Sequence, residues 1–160
     1  MSTRLRIANI RPGGEGDIPT VNQIMADAFD PQYGEAWTPS QCTGILALPG
    51  TWLSIAVLDD QPAGFALSRA IFDDAELLLL AVRPAMRRHG VGGALLRSVI
   101  QDCLSRGVET LHLEVRANNP ATSLYHREGF TKVGERPKYY CGMNGKLFDA
   151  HSFRCKLMHE

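Results

Sequence analysis

The stretch Glu76–Gly93, ELLLLAVRPAMRRHGVGG, decides the fold, because it runs from an apolar strand through a basic turn into the glycine-rich start of a helix. Leu77–Val82 is a short apolar run, and Arg83-Pro84 closes it, since proline cannot continue a strand ladder. Ala94, Leu95, Leu96, Val99 and Ile100 then recur at helical spacing. Between them lies Arg87-Arg88-His89-Gly90-Val91-Gly92-Gly93. Glycines let a backbone approach a ligand closely. The first amides of a helix have no internal partner, and the dipole adds positive character there, so such a start receives phosphates. Arg87, Arg88 and His89 would add cationic donors. The plainer reading is a glycine-rich connection carrying surface arginines. No Gly-Lys-Ser/Thr follows, which excludes a Walker loop. Arg88 stands where a dinucleotide fingerprint needs glycine, and the next strand ends in Glu114-Val115 without a ribose-type context.

Working outward, Arg4–Ile10 alternates apolar and polar residues and reads as a strand closed by Pro12-Gly13-Gly14. Asp17 reads as an N-cap with Pro19 in the first turn, ahead of an apolar face of Val21, Ile24, Met25, Ala28 and Phe29. Asp30–Trp37 breaks that helix. Thr38-Pro39 opens a second one that buries Ile45, Leu46 and Leu48 and ends at Pro49-Gly50. Trp52–Leu58, Ala63–Ile71 and Glu76–Val82 form a meander joined by short acidic turns. A helix from about Val91 to Ser105 ends at Arg106-Gly107. Then come a strand, Thr110–Val115; a helix begun by Asn118-Asn119-Pro120 and ended near Gly129; a short strand, Phe130–Val133; a segment, Gly134–Phe148, read mostly as loop with a turn at Met143-Asn144-Gly145; and a last strand, Ala150–Met158. Helices interrupting a mostly antiparallel sheet of about seven strands, with about four helices, give an α+β fold of mixed α/β layers. At 160 residues with no repeat or linker, the chain reads as a single domain.

The second informative stretch is Leu111–Tyr125, followed by Glu128-Gly129-Phe130. On a strand, Leu111, Leu113 and Val115 share one face, and His112 and Glu114 the other. The pattern R-x-x-G-x-G after a buried strand, together with N-x-x-A-x-x-L-Y and G-F at Asn118, Ala121, Leu124, Tyr125, Gly129 and Phe130, resembles the GNAT superfamily of acetyl-CoA-dependent N-acetyltransferases. The element order is similar to that fold along nearly the whole chain. L-E-V-R at Leu113–Arg116 narrows the resemblance to the bacterial ribosomal-protein-alanine N-acetyltransferases. Further matches are Trp37-Thr38, Asp74-Ala75-Glu76, Tyr139-Tyr140 and Asp149-Ala150.

The resemblance implies acetyl-CoA as cofactor, held by Leu80, Ala81, Val82, Arg87, Arg88, His89, Gly90, Val91, Gly92, Gly93, Asn118, Asn119 and Tyr125. It implies Glu114 as general base and Tyr125 as general acid, with Trp37, Tyr139 and Tyr140 bordering the acceptor. The family usually has one more residue between this Glu and the following Asn. Asn118 keeps the spacing to Tyr125 and Asn119 the spacing to Glu114; helix geometry favours Asn118. Each residue also has a plain reading: Glu114 as a solvated strand residue, Tyr125 as core beside Leu124, Trp37 as helix packing, Tyr139 and Tyr140 as loop packing, His112 as a packed or surface residue.

The implied function is acetyl transfer to a protein N-terminal α-amine, such as the alanine terminus of a ribosomal protein, by direct attack in a ternary complex. The alternatives are a lysine, polyamine or other small amine as acceptor, or a module that binds acetyl-CoA without turnover. Composition sets the outer limits. A 44% apolar fraction argues for a packed core, and a formal net charge of zero argues against bulk attraction to nucleic acid or membrane. Met1–Arg6 has no apolar stretch of signal-peptide length, which predicts a cytoplasmic protein. Cys42, Cys103, Cys141 and Cys155 show no C-x-x-C pairing, so reduced thiols and no metal site are expected. A monomer or a homodimer is expected.

Overall fold

The computed structural model describes residues 7–157. The strand expected from Arg4 and the end of the one expected to reach Met158 lie in part outside those residues. Seven strands form one sheet in the order β1-β2-β3-β4-β5-β7-β6. The strands are β1 (Asn9–Gly13), β2 (Thr51–Leu58), β3 (Gln61–Ile71), β4 (Asp74–Val82), β5 (Thr110–Arg116), β6 (Thr131–Cys141) and β7 (Leu147–Lys156). The helices are α1 (Ile18–Ala28), α2 (Pro39–Leu46), α3 (Val91–Ser105) and α4 (Thr122–Arg127). Every pairing is antiparallel except β4 with β5, for which α3 supplies the crossover.

Two ends of the chain depart from the sequence reading. The first strand sits later and includes Pro12 and Gly13, which the sequence read as its stop; Pro12 opposes Ser54. It is an edge strand, where a missing amide can face outward. Asp17 stands at the N-cap position of α1, but its carboxylate accepts from Gly14 N (2.9 Å) and pairs with Arg11 (2.8 Å) instead. At the other end, the segment 134–148 read as loop supplies most of β6 and the start of β7, joined by a turn through Met143-Asn144-Gly145. β6 is exposed along most of its length, carries Pro137, and breaks register between Lys132 and Gly134 and between Arg136 and Tyr140. That leaves no apolar alternation to read.

The sheet separates two cores. On one face α3 buries Leu95, Leu96, Val99 and Cys103, each at 0% exposure, against Ala66, Leu77, Leu111 and Leu113. Burying one such Leu or Val contributes about 1.5–3 kcal/mol. On the other face Val21, Ile24 and Met25 of α1 pack on Ile55, Phe65 and Leu79. A bulge in β4 explains why Leu77 and Leu79 fall in different cores, against the ordinary period of two: Ser68 opposes Leu77 and Leu67 opposes Leu79, which leaves Leu78 over. α2 begins with a capping box in which Thr38 Oγ1 accepts from Gln41 N (3.2 Å) and Gln41 Oε1 from Thr38 N (2.8 Å).

The parallel pair sets the site. β4 and β5 pair only from Asp74↔Thr110 to Leu77↔Leu113. Beyond that point β4 stays on β3 and β5 stays on β7, so the two strands part.

Candidate active site

The gap between β4 and β5 opens into a cleft of about 810 Å³. Leu80, Ala81 and Val82 line it from β4, and Glu114, Val115 and Arg116 from β5. Arg83 N–H donates to Ala63 O at 2.8 Å. Bonded and non-bonded pairs alternate along an antiparallel ladder, so the backbone groups of Leu80 and Val82 turn away from β3 toward the gap.

At one end lies the start of α3. Gly90 is its N-cap residue, left-handed at φ 72°, and the first bond that closes the helix runs from Ala94 N to Gly90 O (3.0 Å). The amides of Val91, Gly92 and Gly93 therefore precede the ordinary ladder. A Cβ on Gly92 would come 3.1 Å from Leu124 Cδ2, so glycine here lets α4 pack close to this helix start. Arg87 Nη2 donates to Ala28 O (3.2 Å), and Arg97 pairs with Glu128 (2.7 Å), tying the turn to α1 and α3 to α4. Arg87, Arg88, Gly90, Val91, Gly92 and Gly93 all line the cleft; His89 is not among its lining residues. Amides, a helix start and two guanidiniums suit a diphosphate.

In the middle stand the two sequence candidates for proton transfer. Glu114 accepts from Ser152 Oγ (2.6 Å) and pairs with Arg136 Nε (3.0 Å), with its side chain 15% exposed. Tyr125 is buried, with its ring edge-on to Phe130 and tilted against Phe153. Burial first, and then the charge of Glu35, hold its phenol pKa above the ordinary tyrosine value. It is thus a protonated donor at neutral pH. Glu76, opposite His112 in the β4–β5 register, also lines this part. Partial loss of water around its carboxylate, then the charge of Glu114, push its pKa up, while Arg136 and His112 oppose the shift.

At the other end the segment between α1 and α2 crosses the cleft mouth. Glu35 Oε1 accepts from Arg116 Nε (3.2 Å) and Oε2 from Asn119 Nδ2 (2.9 Å). The Arg116 guanidinium lies 3.6 Å from the centre of the Tyr33 ring. Both side chains of the ion pair are 10% exposed. Gly34 (φ 69°) and Gly142 let this segment touch the β6–β7 turn: a Cβ on Gly34 would lie 1.9 Å from Cys141 O. Trp37, Tyr139 and Tyr140 line the cleft here, with the two tyrosine rings edge-to-face at 4.8 Å.

Asn118 and Asn119 divide differently from the sequence reading. Asn118 is exposed in a left-handed turn (φ 66°) and is not among the residues lining the cleft. Asn119 lines it and accepts from Ala121 N (2.9 Å). The short connection needs a left-handed residue, which asparagine tolerates, and that takes Asn118 out of the site. Sequence reasoning did not single out Glu35, Arg136 or Ser152. Glu35 and Arg136 lie in segments read as breaks or loop, and Ser152 is one residue of an alternating strand; pairing across the sheet brings Arg136 and Ser152 to Glu114, and the α1–α2 segment crossing the cleft mouth brings Glu35 to Arg116.

The acetyltransferase (GNAT) family model matches residues 18–130. A [ribosomal protein bS18]-alanine N-acetyltransferase of Salmonella typhimurium is 43% identical over 83 residues, 51% of this chain and 56% of that protein. The match thus spans little more than half the length of that curated relative. Among solved structures, the ribosomal-protein-S18-alanine N-acetyltransferase of Escherichia coli superposes with a TM-score of 0.84 at 29% identity, covering 96% of both chains. Arabidopsis thaliana NAA60 in complex with acetyl-CoA shares the fold, with a TM-score of 0.80 at 22% identity over 94% of this chain and 99% of that one. A match over most of the chain, with the splayed parallel pair and the glycine-rich helix start inside it, means that this protein belongs to the acetyltransferase (GNAT) family.

Proposed function

We propose that the protein transfers the acetyl group of acetyl-CoA to a protein N-terminal α-amine, with the alanine terminus of a ribosomal protein as the acceptor its relatives suggest. One observation carries the reading: Glu114 and Tyr125 meet in the same cleft that ends on the amides and arginines opening α3. In this reading Arg87, Arg88 and the Val91–Gly93 backbone hold the diphosphate of the donor. The freed backbone edge of β4 at Leu80 and Val82 binds the pantetheine arm and supplies an amide to the oxyanion.

The acceptor arrives as an ammonium, which has no lone pair and must lose a proton before it attacks the thioester. An α-amine has a pKa near ~8, against ~10.4 for lysine, so a carboxylate can deprotonate the former at lower cost. Glu114 takes that proton, directly or through a water, from a pose fixed by Ser152 and Arg136. Tyr125 donates its phenolic proton to the departing thiolate. Trp37, Tyr139 and Tyr140 border the acceptor chain. A cytoplasmic location follows from such a donor and acceptor.

Mass spectrometry of acetylation on a panel of N-terminal peptides, lysine peptides and polyamines tests this. An alanine-terminated peptide is expected to lead lysine side chains by ~10-fold or more in kcat/KM. Preference for a polyamine or lysine would replace the acceptor. Acetyl-CoA binding with no turnover on any amine would leave a binding module.

A further inference from the structure

We propose that Glu35 is a positioning residue for this transfer: its carboxylate bridges the end of β5 to the start of α4 and so fixes Glu114 and Tyr125 relative to each other. The inference rests on the acetyltransferase reading of the cleft. The two proposed proton-transfer residues sit on adjacent elements, joined by a short connection made of a turn through Asn118, closed by Asn119 N–H on Arg116 O at 3.0 Å, and a second turn closed by Thr122 N–H on Asn119 O at 3.1 Å. α4 has six residues, too few for a helix to hold its place without tertiary support. The support comes from outside this segment. One Glu35 oxygen takes Arg116 Nε, two residues beyond Glu114; the other takes Asn119 Nδ2, whose own Oδ1 accepts from Ala121 N at the head of α4.

Glu35 is itself held. The segment that carries it is fastened to the β6–β7 turn by Met143 N–H on Pro31 O (3.3 Å) and by the close approaches at Gly34 and Gly142, and Tyr33 backs the Arg116 guanidinium. The bridge is therefore anchored to a third part of the molecule. The charged and titratable groups bearing on Tyr125 and its neighbourhood include Glu35, Tyr140, Glu114, Arg116 and Arg127, which share the cleft with it.

The test is a double-mutant cycle on kcat in the full chain, with Glu35→Gln, Tyr125→Phe and both together, and hydrogen exchange as a readout independent of turnover. A misplacement of about 1 Å costs ~100-fold in rate, so Glu35→Gln is expected to lower kcat by ~10–100-fold while KM for acetyl-CoA stays within ~3-fold. The double variant is expected no more than ~3-fold below Tyr125→Phe alone, because residues acting as a unit are not additive. Amides of α4 should exchange faster in Glu35→Gln, and those of β4 should not change. Glu35→Asp keeps a charge beside Arg116 but cannot span both partners; it guards against a variant that fails to fold and should give the same pattern more weakly. Additive losses in an active parent, or full kcat with unchanged α4 exchange in both Glu35 variants, overturn the positioning role. A parent that acetylates no amine overturns the transferase reading, and the catalytic role of Glu35 with it, whichever way exchange goes.

Discussion

The two ends of the cleft are built in opposite ways. The α3 end comes largely from one continuous stretch, Leu80–Gly93, and works through backbone: amides, a left-handed glycine and a missing Cβ at Gly92. The end proposed to receive the acceptor, with the middle beside it, comes from four separated segments that deliver Glu35, Arg116, Arg136 and Ser152, and it works through side chains that satisfy one another's charge. Backbone at a strand-to-helix junction is dictated locally and tolerates most neighbours. A side-chain constellation exists only once the sheet has paired, and each member holds another in place.

The contrast is broken most directly by removing one chemical group from the acceptor end. Glu114→Gln removes the proposed base while keeping the shape beside Ser152 and Arg136. Turnover should fall by ~100- to 10,000-fold, with acetyl-CoA affinity unchanged by calorimetry. If affinity fell in step with turnover, the two ends would not be separate devices.

Glycine substitutions probe the same contrast through stability. Gly34 and Gly90 have nearly the same φ, 69° and 72°, but a Cβ on Gly34 meets the Cys141 carbonyl at 1.9 Å, whereas one on Gly90 meets nothing within 4 Å. Gly34→Ala is expected to cost about 3 kcal/mol, and Gly90→Ala about 1–2 kcal/mol, the latter being the left-handed penalty alone. Thermal unfolding should separate them, with a drop of roughly 6–12 °C for Gly34→Ala. Equal drops would mean that the acceptor-end segment yields as freely as the turn before α3. Gly92→Asp comes next. It crowds Leu124 and sets a negative charge where the diphosphate is proposed to bind, and should weaken acetyl-CoA by on the order of 2 kcal/mol, about 30-fold. Unchanged affinity would move the diphosphate elsewhere.

The same division governs what the amino-acid sequence alone discloses. The strand–helix order, the start of α3 and the two residues, Glu114 and Tyr125, that line one cleft were legible, since each shows in local periodicity or a short motif. The choice between Asn118 and Asn119 was not: it depends on which of them takes a left-handed turn. Nor was the full length of β6, read only as the short strand Phe130–Val133, because the exposed, twice-shifted remainder carries no alternation. Glu35 lies in a segment without regular structure, eighty-one residues from the Arg116 it pairs with, and nothing in its neighbours announces that partner.

The smallest effect tests whether like charges crowd the acceptor end. Glu76 lies on the same face of the sheet as Glu114, and its pKa is raised by the protein around its carboxylate and then by Glu114, against opposing contributions from Arg136 and His112; Tyr139, also raised, shares this surrounding. A carboxyl whose folded pKa lies above its unfolded value contributes stability in full below the unfolded pKa, near ~4.3, and loses it as pH rises through the folded value. At pH 7 the ionised form therefore weighs against the fold. Glu76→Gln should be more stable than the parent at pH 7 and unfold at a higher temperature, the gain in stability being less than about 1 kcal/mol because the residue is solvent-exposed. The gain should shrink as pH falls and vanish below about pH 4. Unfolding curves of both proteins at a series of pH values measure it. A loss at pH 7 would mean that Arg136 and His112 attract Glu76 more than Glu114 repels it, and the acceptor end would then be balanced rather than strained.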